Sequence, residues 1–429
     1  MVDPKQARPD ATFWKIAGAG ASFQAGSTAI DSATIVASLV YHLTGSTLAV
    51  GYASTVLRLG WLLPQLFVGF LAERTDRRMP LYATGAFGRA GCLILIACVL
   101  GLFGSSDAAW TGVAFLVAWT FYAFVSGIVA VPYNDIVGRS ITSALRSRML
   151  AWRFFGGGIL ALFLAAVIHR LMAAESFHIA YSVVFAIAGS FMVVSSIAFV
   201  SAGEPPVKAL SRREKKTLRR FVAEGREVFW SDLRFRRFLY SQWLGGAALM
   251  VLPFYVVAAS GLGLKIEEIA LLLGAQTFGA LASNPFWGRI GDGMGKIYLL
   301  RVVGMLRLGP PVAIVMILNF GSAYSDSLLL GGFVVIFTTL GALMNGTTIG
   351  YLGYLMEISP DDRRPAYSAY FNVFAAPAAF LPLIGGLALT TVSLTGLFVL
   401  AMAVALAQFL VLMWLPKDEE KNPLDEPGR

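Results

Sequence analysis

Two short stretches decide the fold: Gly69-Phe-Leu-Ala-Glu73-Arg-Thr-Asp-Arg77-Arg78 and Gly288-Arg-Ile-Gly-Asp292-Gly-Met-Gly-Lys296. Gly69 and Gly288, Glu73 and Asp292, and Arg77 and Lys296 each stand 219 residues apart. Each stretch follows a long apolar segment and precedes another. A glycine there permits close helix approach, the acid can cap a neighbouring helix's amide end, and the base can pair with an acid or a lipid phosphate. The two stretches mark the same place in two copies of one unit.

Working outward, the surroundings are those of a membrane protein. Of 429 residues, 57% are hydrophobic and 14% are charged, and the mean hydropathy is +0.70. A soluble chain carries about 25% charged residues, so an ordinary cytosolic enzyme is excluded. Twelve apolar stretches are long enough to cross a bilayer: 14–40, 47–72, 80–104, 108–136, 149–169 and 178–200, then 238–260, 266–290, 297–320, 327–356, 366–390 and 393–415. None alternates with period two, so a β-barrel is excluded. The expected fold is an all-α polytopic membrane protein, with twelve transmembrane helices in two six-helix bundles related by an internal repeat. The expected units are 1–200, a basic linker at 201–237, 238–416 and a polar tail at 417–429.

The net charge of +9 resides in short segments between spans. Arg77, Arg78, Arg139, Arg146, Lys296 and Arg363 all fall on one side, while the opposite loops are poor in base. The positive-inside rule places that side, the linker and both termini in the cytoplasm of a cell's inner membrane, facing anionic lipid headgroups rather than nucleic acid. The linker's Arg and Lys alternate with Leu218, Phe221, Val222 and Phe229, the pattern of a helix lying in the membrane interface. Cys92 and Cys98 form neither a disulfide framework nor a metal site, and the three histidines lack ligand spacing. No metal, cofactor or nucleotide loop is expected.

GRIGDGMGK has the form G-x-x-x-D-x-x-G-R/K, and the chain resembles the major facilitator superfamily over nearly its full length. GFLAERTDRR departs from the pattern at Glu73 and Asp76. The resemblance implies two six-helix bundles around a central substrate cavity, with these loops controlling the packing of the halves on the cytoplasmic side. Two family signatures are absent. No arginine precedes Gly127 in AWTFYAFVSGIVAVPYND, and RFFGGGILALFLAAV lacks the fifth-span pattern of drug antiporters. VPYNDIVG and RSRMLAWRFFGG faintly resemble the corresponding region of glycoside-cation symporters.

Ionisable residues inside spans cost several kcal/mol and face protein or water. Asp31 and Arg58 lie at matched depth, about 15 Å from the outer end of adjacent antiparallel spans. They are expected either to pair as a structural clasp or to act as a proton-coupling pair. Arg89 and Arg307 are another matched pair. With Gln24, Tyr122, Gln242, Gln276, Asn345, Tyr370 and Asn372 they complete the substrate-cavity candidates. Gly69, Glu73, Arg77, Asp135, Arg146, Gly288, Asp292, Lys296, Glu357 and Arg363 are the candidates for a cytoplasmic gate. The expectation is a secondary transporter, not an enzyme, working by alternating access as a monomer. It would move a small or medium polar organic solute, tilted toward an anion by three deep arginines, and would be coupled to protons. An uncoupled facilitator or exchanger and a non-transporting assembly factor are the alternatives. A wet cavity favours transport; one filled with aromatic side chains or lipid favours assembly.

Overall fold

The computed structural model describes residues 10–72, 75, 77–105, 108–206, 218–321, 324–359 and 364–415. Every regular element among them is helical. The first half holds α1 (Ala11–Ala29), α2 (Ile35–Thr44), α3 (Thr47–Ala72), α4 (Met79–Phe103), α5 (Ala108–Ser140), α6 (Ser143–Ala174) and α7 (Phe177–Val200). After α8 (Leu218–Ser231) come α9 (Leu233–Ala248), α10 (Phe254–Gly261), α11 (Ile266–Gly293), α12 (Lys296–Leu306) and α13 (Gly309–Phe320). The chain ends with α14 (Asp326–Ile358), α15 (Arg364–Ala375), α16 (Leu381–Ala388) and α17 (Leu394–Met413). Ten helical segments among the described residues are long and apolar enough to cross a membrane, which makes this a multi-pass membrane protein.

Four stretches expected as continuous spans are broken. The first, 14–40, divides at residues 30–34, where Asp31 Oδ1 accepts hydrogen bonds from the Ala33 and Thr34 amides and the Thr34 hydroxyl. A short acid that bonds nearby amides competes with the helical ladder. The 297–320 stretch divides at Arg307 and Leu308, just ahead of Pro310 and Pro311. Their rings lack an N–H and clash with the preceding turn. Pro253 and Pro377 stand at the interruptions of 238–260 and 366–390, whereas Pro64, Pro132 and Pro285 lie inside continuous helices.

Within each half, a close crossing is built on facing glycines: Gly60 with Gly127 where α3 meets α5, and Gly279 with Gly341 where α11 meets α14. The halves touch where α6 runs along α11, α3 meets α16, and α2 meets α10. These contacts gather at the end remote from α8, here the far end, and continue along α6 and α11 to mid-depth. Thr47 Oγ1 donates to the Gly386 carbonyl (3.3 Å), the Leu383 amide donates to Thr55 Oγ1 (3.0 Å), and His169 Nδ1 lies 2.7 Å from the Glu267 carbonyl. A Cβ at Gly386 would lie 2.6 Å from the Thr47 carbonyl oxygen, so only glycine lets these backbones meet. At the opposite end, the linker end, no hydrogen bond or ion pair among the described residues joins the halves.

The α8 helix packs against protein. Val228 is buried with Phe235, Tyr367 and Tyr370; Phe229 lies 5.6 Å from Phe374 between ring centres; and Gly225 faces the Tyr370 ring. Val228 and Phe229 therefore meet α9 and α15. Trp230 remains exposed.

Candidate functional site

A cavity of about 630 Å³ lies between the halves. The first half contributes Phe23 from α1, Asp31 from the break, Arg58 and Trp61 from α3, and Trp119 and Tyr122 from α5. The second half contributes Gln242 and Gly245 from α9, Arg307 from the break in its own span, Thr347 from α14 and Asn372 from α15. The broken helices therefore serve the site. A break halts the backbone ladder and leaves polar groups at mid-depth, which is tolerated where the backbone lines a cavity.

Arg307 is 4% exposed and is held by neutral groups. Its Nη1 donates to Gln408 Oε1 (2.7 Å) and its Nη2 to Thr347 Oγ1 (2.6 Å). Gln408 in turn donates to the Tyr351 hydroxyl (3.0 Å) and the Ser241 carbonyl (3.2 Å). A Cβ at Gly245 would come within 2.9 Å of Arg307 Nη1, so glycine leaves room for the guanidinium. Arg307 also closes α12, where a cation meets the negative end of the helix dipole. Across the cavity, Arg58 is half-buried and has no hydrogen-bond or ion-pair partner among the described residues. Neither arginine is paired with a carboxylate among the described residues.

Asp31 and Arg58 share the cavity but make no ion pair. Asp31 spends Oδ1 on three local hydrogen bonds of 2.9–3.0 Å, and Oδ2 takes none from the described residues. It is the cavity's one acid among the residues that line it.

Six of the sequence-derived cavity and coupling candidates meet at this cavity: Asp31, Arg58, Tyr122, Gln242, Arg307 and Asn372. The other five lie elsewhere. Gln24 faces Gly157 of α6, and Gln276 points to Met344 Sδ across the α11–α14 contact. Asn345 donates to the Ala280 carbonyl and to Asn284 Oδ1, a bond between helices. Tyr370 donates to Glu224 of α8 (3.0 Å), and Arg89 lines a separate small chamber. Sequence reasoning missed Gln408, Thr347 and Gly245. Gln408 had a signal, as the one strongly polar side chain in LTGLFVLAMAVALAQFLVLM.

The described gate candidates occupy the linker end, where Asp135, Arg146, Asp292 and Lys296 bond within their own halves. Asp135 lies 2.7 Å from Arg139 and 3.7 Å from Arg78, and Arg139 also binds Glu204 at 2.7 Å. Arg146 donates to the Gly138 and Ile141 carbonyls, capping α5. Asp292 pairs with Lys296 (2.9 Å), and Lys296 also donates to the Gly291 carbonyl. Gly69 and Gly288 lie near the linker-end termini of α3 and α11, Glu357 lies in the last turn of α14, and Arg77 is exposed. Glu73 and Arg363 lie outside the described residues.

The sequence model of the Major Facilitator Superfamily matches residues 16–374 and 244–429. No curated protein matches the chain in sequence. Among solved structures, the D323A mutant of the nucleoside transporter NupG superposes with a TM-score of 0.72 at 11% identity, covering 95% of this chain and 100% of that one. A bacterial homologue of the iron transporter ferroportin was solved in two states. Its inward-facing structure gives a TM-score of 0.70 at 12% identity, covering 94% of this chain and 98% of that one. Its outward-facing structure gives 0.59 at 15% identity, covering 94% and 99%.

Proposed function

Since the chain belongs to the major facilitator superfamily, we propose that it is a secondary transporter, not an enzyme, which carries a small or medium organic anion by alternating access. One observation carries this reading: Arg58 from the first half and Arg307 from the second line one cavity, and neither has a carboxylate partner among the described residues. A cation at mid-membrane is expensive without a counter-charge. An anionic solute supplies that charge to both halves at once, and so links binding to their relative movement. The volume of about 630 Å³ suits a small organic molecule.

In this reading the chain crosses the membrane twelve times, α1 and α2 together forming the first crossing, and the two halves are repeats. Both termini and α8 are cytoplasmic, the basic loops meet anionic headgroups, and the state seen here is open inward. Asp31 carries the coupled proton on Oδ2, the oxygen without a local partner. When Asp31 is ionised it weakens the cavity's pull on an anion; when it is protonated, two uncompensated arginines remain. Proton and anion therefore bind cooperatively and travel together.

A second reading rests on the three hydrogen bonds to Oδ1: Asp31 is then a permanently ionised cap for α2, and transport is uncoupled. Uptake into proteoliposomes by a panel of mono- and dicarboxylates, with and without a pH gradient, tests both. We expect Asp31→Asn to abolish pH-driven accumulation while leaving counterflow, and Arg58→Ala to lower anion uptake about 10- to 100-fold, the worth of a charge-assisted hydrogen bond. Undiminished accumulation by Asp31→Asn refutes proton carriage. Undiminished anion uptake by Arg58→Ala refutes the anionic substrate.

A further inference from the structure

Phe23 and Trp61, which line the central cavity, also line a second chamber of about 50 Å³ inside the first half, on its linker-end side. Its cations are Arg89 of α4 and Arg153 of α6. Arg89 is 3% exposed, and its Cζ lies 4.4 Å from the centre of the Phe23 ring. The Arg153 Cζ lies 5.9 Å from the centre of that same ring. Arg153 Nη1 donates to the Tyr133 hydroxyl at 2.8 Å, but Nε of both arginines lacks a hydrogen-bond partner. Among the described residues no carboxylate pairs with either: Asp135 is engaged with Arg78 and Arg139 instead.

Two guanidinium groups set against one phenyl ring in this interior repel each other. Arg153 also lies over the Tyr133 and Phe154 rings, at 5.3 and 5.5 Å, but ring faces and one hydroxyl supply no counter-charge and offset only part of the desolvation. Small residues leave the space open. Ala19, Gly20 and Ala130 form part of the wall, and a Cβ at Gly20 would come 2.5 Å from Arg153 Cδ. On this measure a cavity of about 10–15 Å³ already admits one water, so the chamber has room for a few water-sized groups, such as a halide or a carboxylate head.

We propose that this chamber is an accessory anion site. It takes one small monovalent anionic group between Arg89 and Arg153, separate from the site at Arg58 and Arg307. Two sources share that chemistry: a free halide, or the carboxylate of the solute as it leaves the central cavity past Phe23 and Trp61. Only the second source rests on the function proposed above.

The test is thermal unfolding of the purified full-length protein, titrated with sodium bromide or sodium formate at an ionic strength held by a bulky sulfonate. The expected result is a saturable rise in Tm of about 1–3 °C. The rise should persist in Arg58→Gln and vanish in Arg89→Gln and Arg153→Gln. Arg153 is only half-buried, so its variant keeps the test available if Arg89→Gln does not fold. A response to bromide assigns a free-halide site, and a response to formate alone assigns a carboxylate site. No saturable rise in the parent overturns the proposal. So does a rise that Arg58→Gln removes and Arg153→Gln retains, which would place the anion in the central cavity and leave the transport reading intact. Failure of the transport reading shows separately, as anion uptake indifferent to Arg58→Ala.

Discussion

The far end and the linker end hold the molecule by opposite means. At the far end the halves meet through backbone: glycines at 51 and 386 bring α3 and α16 together, and uncharged hydrogen bonds cross the seam. At the linker end the charges gather, yet the ion pairs among the described residues stay within one half, Asp135 with Arg78 and Arg139, and Asp292 with Lys296. The difference teaches which end is committed in this state. Close packing of small residues has no substitute partner, so separating the far end loses contact outright. Ion pairs in water are individually weak and exchange partners readily, so the linker end can close by re-pairing.

The largest effect that could break this comparison comes from the far-end seam. A side chain at Gly51 would collide with the Pro382 carbonyl. Overpacking of this kind costs about 1–3 kcal/mol, so Gly51→Leu should reduce the population of the present state about 5- to 150-fold. With Cys92 and Cys98 replaced by serine and a cysteine at Asn372, labelling of the cavity from the far side by an impermeant thiol reagent should accelerate accordingly. Unchanged labelling would mean that the seam does not hold the state.

Next is Glu204, which joins the start of α4 to the end of α5. Its carboxylate accepts from the Arg78 and Met79 amides and from Arg139. Glutamine keeps one acceptor oxygen but replaces the other with an NH2 donor and removes the charge facing Arg139; losing those bonds costs about 1–3 kcal/mol, so Glu204→Gln should lower Tm without altering far-side labelling.

The same group predicts a pH effect. Burial pushes its pKa up, but the hydrogen bonds from Arg139 and the two amides outweigh this and hold it below the ordinary value of 4.5. A depressed folded-state pKa means that the contribution is complete above the unfolded value and is lost as pH falls through the folded one. Thermal stability should therefore drop below about pH 4.5 more steeply in the parent than in Glu204→Gln. Parallel profiles would deny Glu204 this role.

The smallest effect belongs to Asp292. Its side chain is 83% exposed and its pair with Lys296 spans one turn. Asp292→Asn should change Tm by less than about 0.5 kcal/mol equivalent, as exposed pairs do. It should slow cycling between the two sides more than it weakens solute binding, if the acid finds a partner across the seam when the linker end closes. Equal cycling rates at matched protein levels would confine Asp292 to its own loop.

Long apolar runs, the segregation of bases to one side and the paired loop stretches were legible in the sequence, because each follows from chain composition and local spacing. The position of Arg58 and Arg89 along their helices was legible too, since rise per residue is fixed in a helix. Direction around the helix was not. A soluble helix shows its buried face by contrast with its polar side, but a helix in lipid is apolar all round and offers no such contrast. Only packing decided that Tyr122, Gln242 and Asn372 face the central cavity, while Gln276 and Asn345 serve the α11–α14 contact and Arg89 the smaller chamber. Tertiary structure alone also decided that Asp31 turns its Oδ1 to its own chain rather than to Arg58, because an acid in a broken span takes the nearest amides first.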